Sequence, residues 1–223
     1  YIVDDNFLYD KQRVEEFCKL LAEHRINKRF LIYGRADFIA AHEDTIATFA
    51  AQGLRAVIVG LESANPGELD KYNKHSSVTV NEKALEILAK YNVDCYATLI
   101  LGIDWDEQDF ARLYRWLKKW RLRFINLQPF TPLPGTSQFA QYEHRLIIPR
   151  ARYEEWDLAN LVVKPGKISA RRFYYNILKV YFKTTLSFYN TLKHLSYGVI
   201  PSLKLSLGVT QITRQYLMKI LKG

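Results

Sequence analysis

Cysteine is scarce in this chain of 223 residues, and acidic residues run out early. The two cysteines, Cys18 and Cys95, offer neither a disulfide framework nor the close spacing of a metal-binding loop. That usage fits a reducing, cytoplasmic compartment. No run of about 18 apolar residues occurs, so no helix is expected to cross a membrane. No secretory leader is expected, because Tyr1-Ile2-Val3 passes straight into Asp4-Asp5. His24, His42, His75, His144 and His194 are scattered without ligand spacing. Past Asp157 there is no Asp or Glu at all.

What is present is apolar and basic. Hydrophobic residues make up 48% of the chain, enough to bury a core. The formal net charge is +9, unevenly spread. Residues 1–144 hold 18 Lys+Arg against 20 Asp+Glu, whereas residues 145–223 hold 14 against 3. The chain is therefore expected to divide into a balanced segment, 1–145, and a basic helical extension, 146–223.

The first segment alternates short apolar runs with stretches of helical period. The runs are 1–3, 29–33, 55–59, 96–101 and 124–128. They lack strict alternation, which predicts strands buried on both faces. Between them, Val14, Phe17, Cys18 and Leu21, then Ala84, Leu85, Leu88 and Tyr91, then Phe110, Leu113, Tyr114 and Leu117 form amphipathic stripes. Gly53 suits a left-handed cap after a helix at about 43–52, and Asn81 suits a cap for the helix that follows it. Five βα units predict an α/β fold with a parallel sheet, a partial TIM-type barrel.

In such barrels chemistry gathers at the carboxy ends of the strands. Here those ends read Asp4-Asp5-Asn6, Gly34-Arg35-Ala36-Asp37, Gly60-Leu61-Glu62-Ser63, Leu101-Gly102-Ile103-Asp104 and Gln128-Pro129-Phe130. Arg35 could clamp a carboxylate with two hydrogen bonds. Asp5 and Glu62 could hold an ammonium group or ribose hydroxyls. The crown suits a zwitterionic, nucleoside-like ligand, although Asp4-Asp5 would also cap a turn and Arg35 would also pair with Asp37.

This ordered series, completed by Leu69 to Lys74 and by Thr131-Pro132-Leu133-Pro134-Gly135-Thr136, resembles the radical S-adenosylmethionine (SAM) superfamily over residues 1–160. It most resembles the branch often fused to a cobalamin (B12)-binding domain. The resemblance implies SAM and a [4Fe–4S] cluster as cofactors, with cobalamin as a further one that the branch admits. It implies that Asp4 and Asp5 meet the SAM amino group and that Arg35 approaches the methionine carboxylate. Glu62 and Ser63 would meet the ribose or methionine end. Leu101, Gly102 and Ile103, with Gln128 and Pro129, would frame the adenine. It implies SAM cleavage to a 5′-deoxyadenosyl radical for hydrogen abstraction or methyl transfer, with a flavodoxin or ferredoxin as electron donor. No residue is singled out as catalytic.

The three-cysteine loop, CxxxCxxC, is missing from this sequence, and the reading expects it upstream of Tyr1. The basic extension is expected to form a helix from Ser169 to about His194 and another from about Thr210 to Leu221, with Gly198, Pro201 and Gly208 breaking the stretch between. Residues 153–160 read as a turn into helix. An amphipathic basic arm suits packing on the barrel, or peripheral contact with an anionic membrane. Nothing accompanies the charge that would recognise nucleic acid. The substrate expected is a small or lipid-like molecule. The alternative is a non-catalytic barrel whose basic arm makes it a binding or membrane-peripheral module.

Overall fold

The computed structural model describes residues 1–71, 77–185 and 199–222. The chain forms two compact units, Tyr1–Leu99 with Phe124–Asn126, and Ile100–Arg123 with Leu127–Gly223. The first unit contains α1 (Lys11–Glu23), β1 (Phe30–Gly34), α2 (Ala36–Ala41), α3 (Glu43–Ala51), β2 (Leu54–Glu62), α4 (Pro66–Lys71), α5 (Val78–Lys90) and most of β3 (Asp94–Leu101). The strands run β1-β2-β3-β4 in one sheet, with β4 at Phe124–Pro129. β1 pairs parallel with β2, and β2 parallel with β3. Parallel neighbours with helical crossovers are an α/β arrangement.

Caps set the helix bounds. Asp10 accepts a hydrogen bond from the Arg13 N–H at 2.7 Å and opens α1. Ser77 accepts one from the Val80 N–H at 3.2 Å and opens α5. The three longest helices before residue 120 close alike. Arg25, Asn92 and Arg121 take φ of 53°, 55° and 51°. The next N–H then reaches back to the last turn, Ile26 to Leu21, Val93 to Leu88 and Leu122 to Leu117. This is the Schellman ending, and it turns the chain towards the following strand each time. Gly53, at φ 113°, closes α3 as its position suggested.

Among the described residues, burial marks one face of the sheet. Ile32, Val57, Val59, Ala97 and Leu99 are fully buried or nearly so. Their alternating neighbours Tyr33, Ile58, Gly60, Tyr96 and Thr98 are half-buried or exposed. The expectation of strands buried on both faces is therefore corrected. The open-face residues are themselves largely apolar or aromatic, which hid the period of two in the sequence. Under the covered face, Phe7, Phe17, Phe30 and Phe49 interlock, with centroids 5.3 to 5.8 Å apart.

Other expectations also change. Residues 1–3 form no strand. Their sheet bond runs from the Ile2 N–H to the Leu31 carbonyl at 3.0 Å, too little pairing to make a ladder. Among the described residues the sheet has four strands, not five. Asn81 lies inside α5, so it does not cap that helix.

The second unit contains α6 (Glu107–Lys119), the end of β4, α7 (Ser137–Tyr142), α8 (Ala170–Thr185) and α9 (Val199–Lys222). Asp106 and Asp109 form a reciprocal capping box at the start of α6. Ser169 accepts from the Arg172 N–H at 3.2 Å, the cap expected for α8. α8 packs on α6: the fully buried Phe173 meets Phe110 edge-on at 5.1 Å, and Arg172 Nε lies 2.8 Å from Glu107. α9 packs on α8 through Tyr216, which sits among Tyr174 and Tyr181.

α9 begins well before Thr210 and includes Pro201 and Gly208. Pro201 is tolerated because the first N–H groups of a helix have no intrahelical acceptor. Residues 153–160 hold only a 3-10 turn, Tyr153–Glu155, and then the Asp157 carboxylate accepts from the Ala159 and Asn160 N–H groups and stops it. Residues 72–74 of the strand-end series, His75, Phe188, His194 and Gly198 lie outside the described residues. Among those described, no helix is long and apolar enough to cross a membrane.

Candidate functional site

In the first unit the site grows from the carboxy end of β2. Register with β3 slips between Gly60 and Glu62. The Leu61 carbonyl accepts the Ser63 N–H at 2.7 Å, and Glu62 between them takes φ 60°. This is a tight γ-type turn, a strained conformation for a residue with a Cβ. The turn folds the Glu62 side chain back over its own strand. A Cβ built on Gly60 would lie 2.7 Å from Glu62 Oε1 and 3.8 Å from Thr98 Oγ1. The carboxylate therefore occupies the space that a side chain at residue 60 would fill, on the open face beside Thr98.

The surrounding surface is aromatic. Tyr33, Ile58 and Tyr96 stand side by side in register across β1, β2 and β3. Tyr1 packs edge-on against Tyr33 at 5.9 Å, and Phe124 stacks on Tyr96 at 6.4 Å. Burial pushes the Tyr96 hydroxyl above its ordinary pKa, so it stays a proton donor at neutral pH.

The other charged residues of this unit are turned onto neighbours. Arg35 binds Asp37 through both Nε and Nη2, at 3.0 and 2.6 Å, and the guanidinium holds the Asp37 carboxyl below its usual range. Asp4 accepts from Arg13 at 2.8 Å and from the Asn6 N–H at 2.9 Å, and both lower its pKa. Asp5 is exposed. Ser63 is 2% exposed, and its hydroxyl is engaged within the loop, donating to Glu68 at 2.5 Å and accepting from the Asn65 N–H at 3.0 Å.

In the second unit, Leu101 and Ile103 are buried in the core. Their backbone is tied down: the Leu101 carbonyl accepts from the Phe130 N–H at 2.9 Å, and the Gly102 carbonyl from the Trp105 N–H at 3.2 Å. Pro129 is buried and Gln128 half-buried. Gly102 and Gln128 thus keep the accessible surface of this group. Asp104 is clamped by Arg145 at 2.6 Å, and Arg145 also donates to the Lys164 carbonyl at 2.8 Å.

Tyr33, Tyr96, Thr98 and Asn81 went unmarked as site residues in the sequence. A signal existed for two of them: in β3, Tyr96 and Thr98 alternate with Cys95, Ala97 and Leu99. Asn81 gave none, for its partner is a backbone carbonyl 20 residues earlier.

Two cofactors can be tested against these residues. For SAM the fit is partial: a carboxylate set over a glycine at a strand end, beside a hydroxyl and an aromatic surface, matches a ligand with an ammonium group, ribose hydroxyls and a ring. For a [4Fe–4S] cluster the residues do not fit. Among the described residues no three of His, Cys, Asp or Glu gather to hold a metal ion. Cys18 and Cys95 are buried, and desolvation pushes their thiols up to about 11 and about 12. Neither forms the thiolate that a cluster requires. Iodoacetamide at pH 8 is accordingly expected to leave both cysteines unmodified in the native protein and to alkylate both in denaturant, as read by intact mass. Native labelling of either would contradict the burial described here.

No family model matches the chain. Curated relatives do. Hopanoid C-3 methylase of Methylococcus capsulatus is 25% identical over 179 residues, covering 80% of this chain and 34% of that protein. Bacteriochlorophyllide d C-8(2)-methyltransferase of Chlorobaculum tepidum is 26% identical over 185 residues, covering 81% of this chain and 40% of that protein. Anaerobic magnesium-protoporphyrin IX monomethyl ester cyclase of Rubrivivax gelatinosus is 22% identical over 165 residues, covering 74% of this chain and 29% of that protein. The chain thus spans 40% or less of the length of each of these relatives. Among solved structures, the cobalamin-dependent S-adenosylmethionine radical enzyme OxsB matches 70% of this chain with a TM-score of 0.49 at 16% identity, a likeness too distant to carry weight. The series of strand ends and the curated relatives agree: the chain is similar to methylases and cyclases of the radical SAM superfamily.

Proposed function

We propose that this chain is the SAM- and substrate-binding portion of a radical SAM enzyme. The observation that carries the reading is the Glu62 carboxylate, held over Gly60 by a strained turn at the carboxy end of a parallel strand. Strain kept at one position is a mark of function. The chemistry SAM supplies in this superfamily is reductive cleavage to a 5′-deoxyadenosyl radical, used for hydrogen abstraction or methyl transfer.

The chain's own residues have simpler tasks. Glu62 accepts hydrogen bonds from the ligand's ammonium or ribose hydroxyls, with Thr98 beside it. Tyr33, Ile58 and Tyr96 give an apolar surface that keeps water from the ligand. Arg35 can offer its Nε–Nη2 fork to a carboxylate only by leaving Asp37. Gly102 and Gln128 are the accessible members of the group assigned to the adenine. The cluster's cysteines, and a cobalamin domain where one is used, belong to segments outside this chain.

The substrate proposed is a bulky hydrophobic small molecule. The relatives' names refer to a hopanoid, a bacteriochlorophyllide and a protoporphyrin, all large and ring-based. Peripheral contact with an anionic membrane would run through α8, whose exposed residues Arg171, Arg172, Tyr175, Lys179, Phe182 and Lys183 mix cations with aromatics and include no acid. The electron donor proposed is a flavodoxin or ferredoxin.

Glu62→Ala in the full-length protein tests the reading. SAM affinity and turnover are expected to fall about 10- to 100-fold, the worth of hydrogen bonds to a charged group, with the melting temperature little changed. Unchanged SAM affinity would remove Glu62 from the site.

A further inference from the structure

The turn that presents Glu62 is fastened from behind by a side chain on another element. Asn81, in the first turns of α5, is fully buried. Its Nδ2 donates to the Leu61 carbonyl at 2.8 Å. That carbonyl also accepts the Ser63 N–H that closes the turn around Glu62. Both lone pairs of the one oxygen are therefore occupied, one by the turn and one by α5. α5 itself is fixed by the Ser77 cap and by the buried Ala84, Leu85, Ile87 and Leu88.

A buried amide in a helix interior is costly unless it is paired. Helix geometry has no need of Asn there, and an apolar residue would serve packing. The pairing carries positional information instead: it fixes the Leu61 peptide, whose orientation decides whether Glu62 stays at φ 60° with its carboxylate over Gly60 or relaxes into ordinary strand. Ser63 secures the other side through Glu68 and Asn65. We infer that Asn81 is a positioning residue for SAM binding, acting through the Leu61 carbonyl to hold the Glu62 carboxylate on the open face. This rests on the reading of Glu62 as a SAM contact.

The experiment uses the full-length protein and equilibrium dialysis with radiolabelled SAM, so that binding is read apart from turnover. Four proteins are compared: the parent, Asn81→Asp, Glu62→Gln and the double variant. Asn81→Asp keeps the shape but removes the donor. It is expected to weaken SAM binding about 10-fold, the loss of one charge-linked contact. In the Glu62→Gln background the same change should weaken it by less than about 2-fold, because positioning matters only while the carboxylate is there to be positioned. Asn81→Ala, which buries no charge, carries the same expectation should Asn81→Asp fold poorly, and thermal melting reports the folding of each. Equal effects of Asn81→Asp with and without Glu62 would overturn the inference and leave Asn81 a merely structural group. Full SAM affinity in Asn81→Asp and Asn81→Ala, with Glu62→Gln impaired, would overturn it too while sparing the reading of Glu62. Full affinity in Glu62→Gln would sink that reading, and the inference with it.

Discussion

Gly60→Val is expected to abolish SAM binding by the full-length protein while leaving it folded. A Cβ at residue 60 would lie 2.7 Å from Glu62 Oε1. The next nearest atoms are Glu62 Cδ and Thr98 Oγ1, at 3.6 and 3.8 Å, and the first belongs to the same side chain. Nothing in the backbone is struck. Gly60 is exposed and its φ is not in the left-handed region, so a β-branched residue suits the strand. The carboxylate must swing away, and the new methyl groups cover the place it held. Affinity should fall about 100-fold, at the upper end for charged hydrogen bonds, with melting within about 4 °C of the parent, since roughly 1 kcal/mol moves a domain of this size by about that much. Retained affinity would mean that SAM is held elsewhere.

Gly53→Ala inverts that result. Here the added Cβ would lie 2.0 Å from the backbone carbonyl oxygen of Lys28. That oxygen cannot rotate aside. The Gly53 carbonyl also accepts the Phe30 N–H at 2.9 Å, so the segment leading into β1 is fixed to this residue. φ of 113° is a glycine conformation. Backbone strain of about 1–3 kcal/mol and overpacking of about 1–3 kcal/mol add to a loss of roughly 2–6 kcal/mol. A lowered urea midpoint would show it, and a midpoint equal to the parent's would mean that the α3–β2 turn relaxes freely. The pair separates two uses of glycine: at residue 53 it makes the fold possible, and at residue 60 it makes room for a carboxylate.

Much of this was legible in the residues. The strand runs were visible because Ile32, Val57, Val59 and Leu99 build a helix-covered face, and their spacing with amphipathic stripes requires a parallel sheet. Glu62 was visible because a charge that closes an apolar run has few structural excuses. The single covered face was not visible, because Tyr33, Ile58 and Tyr96 read as core. Asn81 looked like a cap because buried asparagine is more common at helix ends than inside them. The pairing of Arg35 with Asp37 was one of two readings, and only the side-chain rotamers choose. α9 was shortened because Pro201 reads as a breaker, although position in the first turn removes its penalty.

The one-sided burial of the sheet has a consequence for how such a protein changes over generations. Val57, Val59, Ala97 and Leu99 answer to the helices packed on them, and altering them costs stability. Tyr33, Ile58 and Tyr96, one step along the same strands, are half-buried or exposed and answer chiefly to whatever lies on the open face. Selection can therefore rewrite the open face residue by residue while the scaffold behind it stays intact. Along each strand the alternate positions form two nearly independent ledgers of mutation, one conservative and one free to explore new molecules.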